Sequence, residues 1–222
     1  MSEYKEEKTM QLLLDGRSLS TMDVSKAAKN THIEIAISEE TVKSIQASQR
    51  LLSKFVEEKR IIYGVNTSLG GFVNWLIPVE NAQELQENLI SAVATNVGPL
   101  LEDEVVRASM LSRLNSLARG CSAISIENFN KLLQIYNAGI IPCIPSKGSL
   151  GASGDLGPLA CIALVATGKW KAKYKGHVLS GKEALVKAGI EPMKLTYKEG
   201  LSLINGTSGM VGIASLLLED VI

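Results

Sequence analysis

The sequence contains few of the residues from which common active sites are built. It has only two histidines, His32 and His177, three cysteines and an aromatic content of 5% over 222 residues. Both histidines lie in polar stretches that predict a loop or a hairpin, which argues against a histidine-based triad or a multi-histidine metal site. The cysteines are odd in number, well separated and set among apolar residues, which favours reduced core thiols over disulfides or a zinc site.

The chain also lacks a net charge, because 23 basic residues balance 23 acidic ones. Since both signs are mixed along the chain, there is no field to attract nucleic acid or an anionic membrane. The N-terminal stretch MSEYKEEKTM is polar, and we read no apolar run as long enough to cross a bilayer, so neither a signal peptide nor a membrane span is predicted. We therefore expect a cytoplasmic globular protein with no nucleic-acid partner and no membrane partner.

Hydrophobic periodicity predicts a mainly α fold behind a small mixed head. MQLLL (10–14) and IEIAI (33–37) are typical of short strands, and Thr21 is a candidate cap for a small helix between them. From Ser38 onward, apolar residues recur at helical spacing. The helical faces are marked by Val42, Ile45, Leu52, Phe55 and Val56, by Leu85, Leu89, Val93 and Val97, and by Val106, Met110, Leu114 and Leu117.

Two segments interrupt the helical pattern. IIYGVNTSLGGFVN (61–74) is a short apolar run that opens into a glycine-rich loop, and KYKGHVL (173–179) resembles a hairpin around Gly176. We expect a mixed α/β head over residues 1–60 and a helical part over residues 61–222, with an approximate boundary inside one continuous domain.

The C-terminal pattern indicates a helix without a stop signal. After Asn205-Gly206 the apolar helical spacing runs to the last residue without a glycine cap, a basic last turn or a proline. Glu219 and Asp220 occupy the last turn, where the helix dipole favours cations. We interpret this end as a truncation rather than as natural fraying.

The stretch GSLGASGDLGPLA (148–160) is the strongest candidate for chemistry. One interpretation is a phosphate-binding loop. The stretch matches neither G-x-x-x-x-G-K-[ST] nor G-x-G-x-x-G, and Asp155 would repel a phosphate. As a nucleophile, Ser153 lacks the glycine two residues later that a nucleophile elbow needs, and it has no nearby histidine to activate it. Neither interpretation explains the run of small residues.

Autocatalytic cyclisation does explain it. If a tight turn presses the amide nitrogen of Gly154 onto the carbonyl carbon of Ala152, a five-membered ring can close, and only glycine lets the backbone approach so closely. Loss of one water from the ring and of another from the Ser153 side chain would leave a methylidene-imidazolone, an electrophile made without an external cofactor. A helix that begins near Leu156, capped by Asp155, would direct its positive end at the ring.

ASGD in this setting resembles the motif of the methylidene-imidazolone ammonia-lyases and aminomutases, which act on histidine, phenylalanine and tyrosine. Four blocks resemble those of the family in order and spacing, and they cover nearly the whole chain. They are YGVNTSLGGF (63–72), LQENLISAVATNVG (85–98), GIIPCIPSKGSLGASGDLGPLA (139–160) and KEGLSLINGTSGM (198–210). Family members are more than twice this length, so the resemblance implies the N-terminal part of an aspartase-like or histidine ammonia-lyase-like helical fold, truncated before its central helix bundle is complete.

The resemblance also implies roles for individual residues. Tyr63 matches the family's catalytic base; a free phenol titrates near pH ~10, so neighbours must tune it. Asn205 matches the asparagine that hydrogen-bonds the substrate carboxylate or the ring, although Asn-Gly alone would be a turn. Leu156 and Leu201 match positions that line the aromatic pocket, and as isolated leucines they would be core residues. Gly71 would let the loop move and its backbone approach the substrate.

The dipeptide Ala92-Val93 bears on the substrate. In the family the matching pair tends to be Ser-His in histidine enzymes and some tyrosine enzymes, His-Leu in other tyrosine lyases, and Phe-Leu in plant phenylalanine lyases. Two small apolar residues would leave a buried imidazole or phenol hydroxyl without a partner, at a cost of about 1–3 kcal/mol. Phenylalanine is therefore favoured, unless Val93 only continues the helical stripe and a polar partner comes from elsewhere.

The blocks most resemble those of bacterial phenylalanine aminomutases and ammonia-lyases that supply natural-product pathways. The resemblance implies conversion of L-phenylalanine, or of tyrosine, to the β-amino acid or the cinnamate, with the ring as sole cofactor and no metal or nucleotide. It also implies a homotetramer in which Tyr63 serves the ring of a neighbouring chain. We expect this chain alone to be weakly active or inactive. The alternatives are a histidine ammonia-lyase or tyrosine aminomutase activity, and an inactive fragment that acts only as an oligomerising module.

Overall fold

The structure is a computed structural model that describes residues 10–72, 74–78, 81–148 and 153–221. The head consists of β1 (Met10–Leu14), α1 (Thr21–Lys29) and β2 (Ile33–Ile37). Both predicted strands are confirmed, and they pair in parallel with Met10 opposite Ile33. A parallel pair needs a crossover connection, which α1 supplies.

The predicted cap of α1 is wrong by one residue. Ser20 is the N-cap, and its hydroxyl accepts a hydrogen bond from the backbone N–H of Asp23. The Asp23 carboxylate accepts in turn from the Ser20 hydroxyl at 2.6 Å and from the Ser20 backbone N–H at 3.0 Å, and both bonds lower the pKa of Asp23. This capping box satisfies two N–H groups at once, whereas Thr21 is already the first helical residue.

The rest of the described chain is mainly helical, as predicted. The helices are α2 (Glu39–Glu57), α3 (Ala82–Val93), α4 (Asp103–Ala118), α5 (Ile126–Asn137), α6 (Leu156–Ala166), α7 (Gly181–Ala188), α8 (Glu199–Ile204) and α9 (Ser208–Val221). The strands are β3 (Val97–Leu100), β4 (Ile141–Pro142), β5 (Pro145–Lys147), β6 (Lys171–Tyr174) and β7 (His177–Ser180). β6 and β7 form the hairpin that the sequence predicts around Gly176.

Helix α4 lies at the centre of the packing. Most of its residues from Val106 to Ala118 are buried, and α1, α2, α5 and α9 pack around it. The buried cluster is continuous from Leu14 and Val24 of the head to Leu216 of α9. The head and the helical part therefore share one core.

Gly212 sets the distance between α9 and α4. A β-carbon built on Gly212 would lie 2.7 Å from the backbone nitrogen of Ser109 in α4. Alanine in an isolated helix would stabilise it by roughly 1 kcal/mol. Here Gly212→Ala is instead expected to lower the free energy of unfolding by about 1–3 kcal/mol, because backbone atoms of α4 would have to move. Denaturant unfolding measures the change, and an unchanged or higher stability would contradict this packing.

Three expectations from the sequence need correction. Val97 does not continue the face of α3, because α3 ends at Val93 and Val97 begins β3, where its side chain is 64% exposed. Cys121 is exposed, whereas Cys143 and Cys161 are buried as expected. Residues 199–221 are long and apolar enough to span a membrane by length and composition. This segment is broken into α8 and α9, and core helices of globular proteins have the same composition.

Candidate active site

Tyr63 lies in the loop between α2 and α3. Its side chain is half exposed, and its hydroxyl accepts a hydrogen bond from the backbone N–H of Gly70 at 3.1 Å. A β-carbon on Gly70 or Gly71 would meet no described atom within 4 Å. The loop therefore curls back so that a glycine pair lies near the phenol with open space around it.

Gln86 connects this loop to the helix that leads to Asn205. It is fully buried in α3; its Nε2 donates to the carbonyl of Gly64 at 3.3 Å, and its Oε1 accepts from the backbone N–H of Leu201 at 3.0 Å. A β-carbon on Gly64 would lie 2.7 Å from Cδ2 of Leu201. The residue that follows Tyr63 thus packs directly on α8.

Asn205 ends α8 and is exposed. Beneath the turn lies Arg113 of α4, which is buried and donates to the carbonyl of Ser202; a β-carbon on Gly206 would overlap its Nη1. Burial lowers the pKa of Arg113 to about 10, and burial together with Arg113 lowers the pKa of Lys198. Neither cation forms an ion pair with a carboxylate in the described ranges. The turn at Asn205 therefore lies over positive charge, which favours a nearby anion.

Ser153 and Gly154 are the described members of the predicted ring, whereas Ala152 lies outside the described residues. The Oγ of Ser153 is buried and has no hydrogen-bond partner in the described part of the chain. Gly154 has φ +87°, and a β-carbon on it would lie 2.7 Å from Cε of Met210. The backbone conformation therefore favours glycine here, whereas the flexible end of the Met210 side chain could move to admit a β-carbon.

Asp155 corrects the sequence interpretation of α6. The helix begins at Leu156, as predicted, and Asp155 is its N-cap residue, but the carboxylate makes no capping hydrogen bond to α6. Instead, Oδ2 of Asp155 accepts from the backbone N–H of Met210 at 2.9 Å, in the first turn of α9. The unpaired N–H groups at that helix start attract a carboxylate. Asp155 thus joins the candidate ring segment to α9.

Ala92 and Val93 form the last turn of α3. Ala92 is exposed, whereas Val93 is half-buried and packs against the hydrophobic core, as continuation of the helical stripe requires. Leu156 also packs against this core.

The candidate residues are linked through backbone elements rather than side by side. One path leads from the Tyr63 loop through Gln86 and α8 to Asn205, and the start of α9 continues it to Asp155 and Gly154. Among the described residues, no hydrogen bond joins the Tyr63 side chain to Ser153.

Sequence reasoning missed Gln86 and Arg113. Each is a polar residue three positions from an apolar one on its helix, Leu89 and Met110 respectively, and each is buried. A long polar side chain inside a buried helical face is the signal that could have identified both residues, because such groups need specific partners.

Comparison with known proteins gives the class to which this architecture belongs. The chain is 53% identical to the phenylalanine aminomutase of Pantoea agglomerans, with a TM-score of 0.89 over 96% of this chain and 40% of that one. It is 34% identical to the tyrosine aminomutase of Streptomyces globisporus, with a TM-score of 0.88 over 95% of this chain and 39% of that one. The helical fold is thus shared with ammonia-lyases and aminomutases.

The same relationship is found in sequence. The histidine ammonia-lyase of Streptococcus sanguinis strain SK36 is 46% identical over 209 residues, which are 94% of this chain and 40% of that protein. The model of the aromatic amino acid lyase family matches residues 19–222. The chain belongs to the aromatic amino acid lyase family, and it spans about 40% of the length of the relatives it matches.

Proposed function

We propose that Ala152, Ser153 and Gly154 form a methylidene-imidazolone ring, and that the chain serves an aromatic amino acid aminomutase or ammonia-lyase. The main support for this proposal is the Ser153 hydroxyl. It is buried, it has no hydrogen-bond partner among the described residues, and it precedes Gly154, whose φ is positive. A buried hydroxyl without a hydrogen bond is unfavourable by about 1–3 kcal/mol. Dehydration of Ser153 would remove that hydroxyl, so the residues present fit the group. When formed, the ring supplies an electrophile that makes the substrate amine a leaving group.

The remaining roles fall to side chains around the α8–α9 turn. Tyr63 takes the β-proton of the substrate, and Asn205, above the buried Arg113, holds its carboxylate. Leu156 and Leu201 line the pocket for the aromatic ring. Open space around the Gly71 backbone lets the loop adapt to the substrate.

We propose L-phenylalanine as the preferred substrate, with tyrosine second. The apolar pair Ala92-Val93 offers no hydrogen-bond partner to an imidazole or a phenol. The 53% identity to a phenylalanine aminomutase supports the same choice. The β-amino acid forms if ammonia returns to the product before release, and the cinnamate forms if both escape, so lid closure decides between them.

Histidine ammonia-lyase activity is the second candidate. The 46% identity to the streptococcal histidine ammonia-lyase supports it. It requires a polar partner for the imidazole other than Ala92 and Val93, which provide none.

Assembly and location complete the proposal. We propose a cytoplasmic homotetramer in which Tyr63 acts on the ring of a neighbouring chain, since no described hydrogen bond joins the Tyr63 side chain to Ser153 within one chain. The exposed apolar residues Leu217, Leu218 and Val221 of α9 also suit an oligomerising module without activity. The 222-residue chain alone is expected to be weakly active or inactive, and full turnover by it would contradict this.

A chimera tests the substrate. This chain replaces the equivalent part of the Pantoea agglomerans aminomutase, and L-phenylalanine, L-tyrosine and L-histidine are supplied separately. Product chromatography is expected to give kcat/KM for phenylalanine about 5- to 150-fold above that for histidine, the factor that corresponds to about 1–3 kcal/mol. The parent enzyme, assayed alongside, controls for the contribution of the remaining chain.

The double substitution Ala92→Ser with Val93→His should raise relative activity on histidine, because it adds polar partners at the pair. A wild-type chimera that prefers histidine would favour the second candidate. A chimera that carries the ring but converts none of the three amino acids would contradict the substrate assignment.

A further inference from the structure

Asn96 lies at the base of the segment that contains the candidate ring. It follows α3 and directly precedes β3, which pairs with β5 so that Val97 lies opposite Lys147. Gly148 is the next residue after β5. The strand pair therefore brings Asn96 beside the point where the chain enters the ring segment.

The Asn96 side chain is fixed on one side and unpartnered on the other. The residue is 7% exposed, and its Nδ2 donates to the carbonyl of Pro145 at 3.1 Å. Its Oδ1 is buried and has no hydrogen-bond partner in the described part of the chain. A buried carbonyl oxygen without a donor is unfavourable, and such a group in a native structure calls for a specific explanation.

Two glycines make room for this amide. A β-carbon on Gly148 would lie 2.7 Å from Nδ2 of Asn96, and a β-carbon on Gly157 would overlap its Oδ1. The glycines also approach each other, because a β-carbon on Gly157 would lie 2.7 Å from the carbonyl oxygen of Gly148. Gly148 and Gly157, which lie on either side of the segment with the predicted ring tripeptide, are thus close together.

We propose that Asn96 is a positioning residue that holds together the two ends of the ring segment. This inference rests on the proposed function and extends it to a residue outside the tripeptide. Its hydrogen bond to Pro145 fixes the entering strand, and its Oδ1 packs against the first turn of α6 at Gly157. With both ends fixed, the segment has fewer open conformations, and attack of the Gly154 nitrogen on the Ala152 carbonyl needs less ordering. The residue itself takes no part in the two dehydrations.

The test compares the wild-type chain with Asn96→Ala and Asn96→Asp. Intact mass and near-ultraviolet absorbance follow the loss of two waters with time, and hydrogen exchange follows residues 145–148 and 153–159. Asn96→Ala is expected to form the ring about tenfold more slowly, a barrier change of about 1.4 kcal/mol, and to exchange faster in those two ranges. Asn96→Asp keeps Oδ1 and the volume but loses the donor to Pro145, and it should behave like Asn96→Ala.

Asn137→Ala is the matched control. Asn137 also bridges backbone groups, since its Nδ2 donates to the Ile35 carbonyl at 2.8 Å and its Oδ1 accepts from the Ile35 N–H at 3.0 Å. Its loss is expected to loosen β2 and to leave the rate of ring formation unchanged.

The outcomes separate the two proposals. If the wild-type chain keeps its unmodified mass, the proposed function fails, and the exchange data still decide whether Asn96 holds the two ends. If the wild type is modified and Asn96→Ala is modified at the same rate, the positioning role is overturned and the proposed function stands. Unchanged exchange in both ranges overturns the role in either case.

Discussion

Replacing Ser153 with alanine is expected to leave the chain at the mass of its own unmodified sequence and without the near-ultraviolet absorbance of a conjugated heterocycle. Alanine has no hydroxyl to leave as water, so no methylidene can form. In the chimera, turnover should fall by at least about a thousandfold, the scale on which loss of a covalent catalytic group acts. Stability should not fall, because the Ser153 hydroxyl has no described partner to lose.

Ser109→Ala is the control for this substitution. Ser109 is also buried, but its hydroxyl donates to the carbonyl of Val105 one turn earlier in α4. The variant should acquire the ring and turn over substrate like the wild type. A Ser153→Ala chain with the mass and absorbance of the matured wild type would refute the ring assignment.

Tyr63→Phe is expected to separate ring formation from catalysis. The phenol hydroxyl accepts one hydrogen bond from Gly70 on a half-exposed loop, so its loss should alter the fold little. Mass and absorbance should match those of the wild type, because Tyr63 is not part of the tripeptide. Turnover in the chimera should fall by about 10²- to 10⁴-fold, the usual contribution of a general base.

Tyr136→Phe provides the contrast. Tyr136 is buried and donates to the carbonyl of Ala27 at 3.0 Å, and burial raises its pKa to about 12. Its loss should cost about 1 kcal/mol of stability and leave the turnover of the folded protein unchanged. If Tyr63→Phe keeps wild-type turnover in the chimera, another group removes the proton.

The elements that the sequence predicted well are those whose pattern is local. MQLLL and IEIAI are short apolar runs next to turn residues, and the apolar residues of α4 recur at helical spacing, so each segment specifies its own secondary structure. Which strand pairs with which, in contrast, depends on residues far apart in the sequence. The parallel pairing of β1 with β2 depends on α1 crossing between them, and the place of Val97 in β3 depends on its pairing with Lys147 of β5.

The sequence predicts which residues belong to the candidate site, but it does not predict which other residues they contact. Tyr63, Ser153 and Asn205 could be named because short motifs surround them. The Gln86 amide that joins Gly64 to Leu201 spans more than a hundred positions along the chain, and no spacing rule reports such a contact. Asp155 was assigned to its own helix because capping is usually local, yet α9 presents unpaired N–H groups to it.

The hydrogen bond from Met210 to Asp155 also has a consequence for timing during synthesis. Asp155 emerges from the ribosome well before residue 210, so this hydrogen bond can form only after the start of α9 has been made. If the proposed ring needs this bond, the nascent chain would remain unmodified at residues 152–154 until α9 has folded.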